Sequence, residues 1–350
     1  MIQAKDSVRA LEEYYVLQDH SVIKLNQNES PLDVPQHLKD EILNRLNEWH
    51  FNRYAANRPQ ALHEAIAAYT GHPAEGIIAG NGSNELIQAV LAAFCNAGDK
   101  ILVVSPGFSV YTRVAKISGL GVMDIPLRED LSFNVSSIVK HAADVDLIIF
   151  ANPNAPTGTV MTMNDIREIA DNFEGPIVID EAYFEFHRDS ALPLMQNHEN
   201  IIILRTFSKA FSLAGLRLGY LMAVPRLAAD IEKAKLPFSV GILGQIAGEV
   251  LMRNHHVVDR LADEIIDERD RLIKNMQAMD GIHVVESHTN FILFSIAGKQ
   301  AKDVHESIYK RGVLLRYLGG ERLKDYIRVS VGTREENDTF LKILGDVASS

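Results

Sequence analysis

IIILRTFSKAFSLAGLRLGY, Ile201 to Tyr220, opens on a run of aliphatic residues and then places Ser208, Lys209 and Arg217 in an otherwise apolar, glycine-spaced segment. A short apolar run of this kind suits a strand buried on both faces, as in a parallel sheet. Further runs of the same character precede it: IIAG ending at Gly80, ILVVS at Ser105, LIIFA at Ala151 and IVID at Asp180. Between them lie stretches of helical period, NELIQAVLAAFC, GFSVYTRVAKIS and MNDIREIADNF. Strand and helix in alternation predict an α/β fold whose main lobe is doubly wound around a mostly parallel sheet.

Downstream, GQIAGEVLMRNHHVVDRLADEIIDERDRLIKNMQAM reads as one long charged helix joining two lobes. After Gly281 the pattern changes to IHVVES, NFILFSI, a helix around KDVHESIYKR, then GVLLRYL and YIRVSV, which reads as a smaller α+β lobe with its own sheet. The expected division is an N-terminal arm over residues 1–30, a large lobe over 31–250 and a small C-terminal lobe over 251–350. A chain of 350 residues exceeds the size at which one core usually stops growing.

With 35 basic against 46 acidic residues, and no run of lysines or arginines, the chain does not suit nucleic acid or an anionic membrane as a partner. The amino terminus has no apolar core of signal-peptide length, so a soluble, cytoplasmic protein is expected. The single cysteine, Cys95, sits among apolar residues at helical spacing and reads as core packing rather than a reactive thiol. His63-Glu64 lacks a second histidine four positions on, and no metal site is expected.

Ligands of open α/β sheets sit outside the carboxyl ends of the strands, and here those ends are polar. After IIAG come Asn81, Gly82, Ser83, Asn84 and Glu85, opening a helix whose free N–H groups suit a phosphate, although the same residues also make ordinary turns and caps. After LIIFA comes NPNAPTG, a loop fixed by two prolines. At the end of IVID, Asp180 would lie where burying a carboxylate is costly unless it meets a cation. After IIILRT come Ser208 and Lys209, then Arg217. A phosphate calls for a serine hydroxyl, an arginine and helix N–H groups; a protonated heterocyclic nitrogen calls for an aspartate; a carbonyl cofactor calls for a lysine. Pyridoxal 5'-phosphate makes all three demands.

From LNQNESP at residues 25–31, through NRYAANRPQAL, GNGSNEL, SPGFSVY, NPNAPTG, DEAYFEF, RTFSKAFSLAGLRLGY and TNF, to IRVSVGTREE, the chain resembles the fold-type I pyridoxal-phosphate-dependent aminotransferases. The DEAYFEF and VGTREE stretches resemble most closely the branch that acts on histidinol phosphate in histidine biosynthesis. The resemblance implies pyridoxal 5'-phosphate held as an aldimine on Lys209, which also carries the substrate's proton. It implies Asp180 on the pyridine nitrogen, Tyr183 on the phenolic oxygen and Phe108 stacked on the ring. Ser83, Asn84, Ser208 and Arg217 would hold the phosphate. Tyr54 would reach it from the neighbouring subunit of a homodimer. Arg328, with Arg316, would bind in turn the phosphate of histidinol phosphate and the carboxylate of glutamate or 2-oxoglutarate, because the guanidinium fork suits both. Tyr14, beside Tyr15, would close over the substrate, and Asn28 would contact it.

The chain departs from the family pattern at Ala155, which stands where the family usually has an asparagine on the phenolic oxygen, leaving Tyr183 and Asn154 to supply that contact. Two other activities of the same scaffold share the lysine and arginines: an aromatic amino acid aminotransferase and a pyridoxal-dependent decarboxylase of amino acid phosphates. A nucleotide-binding reading of GNGSNE lacks the third glycine of the dinucleotide fingerprint and leaves Lys209 and Asp180 unexplained.

Overall fold

The computed structural model describes residues 2–350. A short strand, β1 (Ile23–Lys24), precedes those of the main sheet: β2 (Ile77–Gly80), β3 (Lys100–Ser105), β4 (Gly121–Pro126), β5 (Leu147–Ala151), β6 (Ile177–Asp180), β7 (Ile201–Thr206) and β8 (Gly219–Met222). These seven hydrogen-bond in the order β2-β8-β7-β6-β5-β3-β4. All are parallel except β8, which runs against both its neighbours. Strands β5, β6, β7 and β8 are buried throughout, and alternate residues feed two cores. Ile148, Phe150, Ile177, Ile179, Ile201 and Ile203 face one cluster; Leu147, Ile149, Val178, Ile202 and Leu204 face the other. That double burial is why the sequence shows unbroken apolar runs instead of alternation. β4 and β8 do not stand out in the sequence: β4 is an edge strand carrying Asp124, and β8 lies hidden in the glycine-spaced segment.

The second sheet has the order β12-β13-β10-β9, from β9 (Ile282–Val284), β10 (Phe291–Ile296), β12 (Arg316–Gly319) and β13 (Lys324–Ser330), antiparallel throughout. Beside it β11 (Val313–Leu314) pairs in parallel with β1. GVLLRYL is thus split into two strands at Leu315. The core cluster on one face of the main sheet continues without a break into this lobe through Phe291, Phe294 and Phe340.

The stretch expected to be one long helix is two, Ile242–Arg253 and His255–Gln277. Asn254 sits between them with φ −108° and ψ 28°, and its side-chain amide donates to the Val250 carbonyl at 2.9 Å. Competition of this kind between a short polar side chain and the backbone ladder ends a helix turn that hydrophobic periodicity alone would continue.

One ion pair braces the strand ends that matter below. Arg205, on β7, donates from Nε and Nη2 to Glu181 Oε2 at 3.0 and 2.9 Å, and its guanidinium lies 3.4 Å over the Phe184 ring. Glu181 also accepts from Ser190 Oγ and from the Ala191 N–H. Both charged side chains are buried, so removing one leaves the other uncompensated. Glu181→Ala is therefore expected to cost about 3–5 kcal/mol in urea unfolding. The double replacement Glu181→Leu with Arg205→Met is expected to recover part of that loss, which the unfolding midpoints of the two variants will show.

Candidate active site

The carboxyl ends of β2, β3, β5, β6 and β7 open into a cavity of about 920 Å³ whose far wall is the N-terminal segment and the small sheet. The loop after β7 sets the lysine. Phe207, Ala210, Phe211 and Leu213 are buried in the core, while Ser208 and Lys209 turn to the cavity. Backbone bonds from Phe207 N–H to the Leu218 carbonyl and from Leu213 N–H to the Phe207 carbonyl fold the glycine-spaced segment back on itself. The apolar residues anchor this loop, and the polar ones are what it presents.

The Lys209 amine has no carboxylate partner. Nζ donates to the carbonyls of Asn28 at 3.1 Å and Gln27 at 3.3 Å. Burial and the Arg328 guanidinium push its pKa down to about 7, with Glu29 and Asp180 opposing and Arg217 assisting. An amine of that kind is largely neutral, and so nucleophilic, at a pH where an exposed lysine is not. The reverse holds for Asp180, which has no basic partner. Burial lifts its carboxyl to about 6, against hydrogen bonds from Tyr111 Oη to Oδ2 at 2.8 Å and from Ala182 N–H to Oδ1 at 3.1 Å. A buried carboxylate held this way favours a cation brought to it.

An anion cradle lies where Ser208, Arg217 and the helix Ser83–Phe94 meet. That helix starts at Gly82 (φ 76°) with no side-chain cap, leaving the N–H groups of Ser83 and Asn84 at the cavity. Arg217 Nη1 donates to Ser208 Oγ at 3.2 Å. A Cβ on Gly219 would come within 2.6 Å of the Ser83 backbone nitrogen, so glycine is required there for the close approach, whereas at Gly82 it is the positive φ that favours glycine. Free helix N–H groups, a hydroxyl and a guanidinium suit a phosphate.

A second anion site faces it from the small sheet. Arg316 and Arg328 are direct cross-strand partners, a like-charge pairing that repels unless an anion sits between or beside them. Arg328 Nη2 donates to the Asn26 carbonyl at 3.1 Å, the guanidinium lies 5.1 Å from the Phe291 ring, and the buried Nε has no partner. Burial, with Arg316 beside it, lowers the Arg328 pKa. Although the chain is acidic overall, this cavity is lined by Arg113, Lys116, Lys209, Arg217, Arg316 and Arg328 against Asp124, Asp180 and Glu29, the last paired with Lys24.

Of the other residues expected at the site, Phe108, Tyr183, Asn28 and Tyr14 also line the cavity, whereas Tyr15 does not. Asn28 has each end of its amide engaged inside the protein, Nδ2 donating to Tyr183 Oη and Oδ1 accepting from Ser330 Oγ. Asn154 stands behind the wall: its amide donates to the Pro106 carbonyl at 2.9 Å and to Thr157 Oγ1 at 2.8 Å, tying two loops together. It therefore does not supply the contact that Ala155, which does line the cavity, leaves out. Tyr54 is 83% exposed and stacks on Phe238 at 4.9 Å, away from the cavity of its own chain. Tyr111 was invisible in the sequence as a site residue. It falls on the buried face of the helix Val110–Ile117, and its partner Asp180 lies 69 positions away.

Residues 20–344 match the family described as aminotransferase class I and II. The chain is 38% identical over 326 residues to the histidinol-phosphate aminotransferase of Chlorobaculum tepidum, covering 92% of this chain and 93% of that protein. It is 35% identical over 341 residues to the enzyme of the same name from Thermococcus gammatolerans, with 97% and 96% covered. The fold matches the crystal structure of histidinol-phosphate aminotransferase from Sinorhizobium meliloti in complex with pyridoxal-5'-phosphate, with a TM-score of 0.89, 22% identity and 100% and 98% of the two chains covered.

The charges around Lys209 make its titration a test of the cavity. In cofactor-free protein the amine should react with an acylating reagent along a pH profile centred near 7. Asp180→Asn removes a negative charge that favours the ammonium and should move the profile to lower pH. Arg328→Gln removes a positive charge that disfavours it and should move the profile up.

Proposed function

The chain belongs to the class I and II aminotransferases, and from that premise we propose that it transfers an amino group between L-histidinol phosphate and 2-oxoglutarate, reversibly and with pyridoxal 5'-phosphate as cofactor. In the biosynthetic direction glutamate gives up its amino group and leaves as 2-oxoglutarate, and imidazole acetol phosphate takes the group up to become L-histidinol phosphate. Alternation of the two half-reactions makes the kinetics ping-pong.

When bound, the cofactor supplies an aldehyde that takes up the amine and a ring that spreads the electron pair left on the substrate's α-carbon. We assign the covalent link to Lys209, and to its freed amine the proton drawn from that carbon, since a lysine with its pKa near 7 can both accept and return a proton. Asp180 would hold the protonated ring nitrogen, with Tyr111 and the Ala182 N–H fixing the carboxylate. The cradle of Ser83, Asn84, Ser208 and Arg217 would take the cofactor phosphate, Phe108 would cover a ring face, and Tyr183 would bond the phenolic oxygen.

The observation that carries the substrate reading is Arg328. This half-buried arginine, its buried Nε unpartnered among the described residues, is set across from Arg316 and lies in the same cavity as the Lys209 amine. One fork of this kind can receive a phosphate monoester or a carboxylate in successive half-reactions. Tyr14 stands at the same wall, where it would close on the substrate.

A homodimer completes the reading. Phe51, Tyr54, Leu236 and Phe238 are exposed apolar side chains on one chain, 79%, 83%, 69% and 49% accessible, of the kind that mark an interface. Tyr54 would then serve the partner's cofactor phosphate. No helix among the described residues is long and apolar enough to cross a membrane, and we place the reaction in the cytoplasm.

Steady-state turnover with 2-oxoglutarate should give a higher kcat/KM for L-histidinol phosphate than for phenylalanine; preference for phenylalanine would overturn the substrate assignment. Lys209→Ala should lower kcat by at least about 10²–10⁴-fold. Arg328→Gln should lower kcat/KM for histidinol phosphate by about 10- to 150-fold, the worth of a charge-assisted hydrogen bond.

A further inference from the structure

Asn28 is 2% exposed and holds a left-handed backbone conformation, φ 55°, that few residues other than glycine and asparagine adopt without strain. Its carbonyl accepts from Lys209 Nζ at 3.1 Å and from Asn290 Nδ2 at 3.0 Å. Its N–H donates to Ser330 Oγ at 2.8 Å. Having accepted that bond, the Ser330 hydroxyl sends its own proton to Asn28 Oδ1 at 3.3 Å. The oxygen end of the amide therefore faces Ser330, and the nitrogen end must face Tyr183, where Nδ2 donates to Oη at 2.9 Å. A phenol has a single proton. With one of its lone pairs occupied by Asn28, Tyr183 is left to aim that proton elsewhere, and its ring is a wall of the cavity.

We propose that Asn28 is a positioning residue that sets the polarity of Tyr183: the ordered series Ser330 O–H to Asn28 Oδ1, Asn28 N–H to Tyr183 Oη, and Tyr183 O–H into the cavity makes the tyrosine a hydrogen-bond donor to whatever oxygen the ligand brings there. The left-handed backbone lets the same residue present its carbonyl to Lys209, so one side chain and one carbonyl orient the two groups together. Ala155, which also lines this cavity, brings no side-chain hydrogen-bonding group, and the donor supplied through Asn28 takes the place of one. The inference rests on the pyridoxal-phosphate reading above.

The test is a spectral titration of the enzyme loaded with pyridoxal 5'-phosphate. The visible absorbance of a lysine-bound pyridoxal group changes when the proton shared between the lysine nitrogen and the phenolic oxygen is lost. A donor on that oxygen favours the deprotonated form, so losing the donor raises the pH of the transition. Asn28→Gly tolerates the positive φ and removes only the side chain; it should raise the transition by about one pH unit. In a Tyr183→Phe background, itself shifted upward, the same replacement should add nothing. Ser330→Ala, which frees the amide to turn over, should give a smaller rise, and it carries the test should the glycine variant fail to fold. An unmoved transition in Asn28→Gly, or an equal shift in both backgrounds, overturns the proposal; where only Ser330→Ala folds, an unmoved transition there does so. A wild-type protein with no such absorbance would overturn the cofactor reading and this inference with it, whereas a normal band that ignores Asn28 overturns the inference alone.

Discussion

Setting the half-buried Lys209 amine at the cavity wall, with guanidinium groups near it and only backbone carbonyls against it, is the constraint on which the rest of the site is arranged. An ammonium there is opposed by both desolvation and like charge, so its pKa is lowered. Everything else in the cavity follows from keeping that position unfavourable for a proton and favourable for anions: carboxylates are few, arginines are left without carboxylate partners, and the one deeply buried acid, Asp180, is fixed by a tyrosine and a backbone amide instead of by a base.

Such a site stores unfavourable electrostatics, and the surrounding structure must hold it. The main sheet does so by setting β6 and β7 side by side, and the Arg205–Glu181 pair ties their ends immediately behind the residues that face the cavity. In the cavity, Arg217 and Arg328 meet a serine hydroxyl and backbone carbonyls and no carboxylate among the described residues. Arg205, on the strand that leads to Lys209, is paired with the Glu181 carboxylate. Residue type alone does not separate the two roles; the partners do.

Much of this was readable from the chain. The parallel strands announced themselves because double burial writes apolar runs, and the clusters at their ends carried the cofactor's demands in residue types. What stayed hidden has physical reasons. β8 could not be seen because its glycine and tyrosine follow a segment dominated by turns, and the break at Asn254 depends on one side chain's choice of partner. Tyr111 looked like any buried helix residue, since its importance lies in a contact with Asp180 that sequence spacing does not express. The bonds of Asn28 to Tyr183 and Ser330 stayed hidden for the same reason, since those partners are 155 and 302 positions away. The Asn154 amide nitrogen is likewise engaged with Pro106 and Thr157, contacts that the NPNAPTG motif does not express.

The pairing of β1 with β11, and of Asn28 with Ser330, has a consequence for the order in which the protein is made. When Met222 emerges from the ribosome the strands of the main sheet have all been synthesised, although the helix Ile242–Arg253 that packs against them is still to come. At that stage β1 and the Asn28 N–H lack their partners, because β11 and Ser330 have yet to be synthesised. The wall of the cavity that carries Asn28, Arg316 and Arg328 closes only when the two extremes of the chain meet. A partly made chain therefore has its lysine but not the surroundings that tune it, and competence for chemistry arrives with the last segment of the polypeptide.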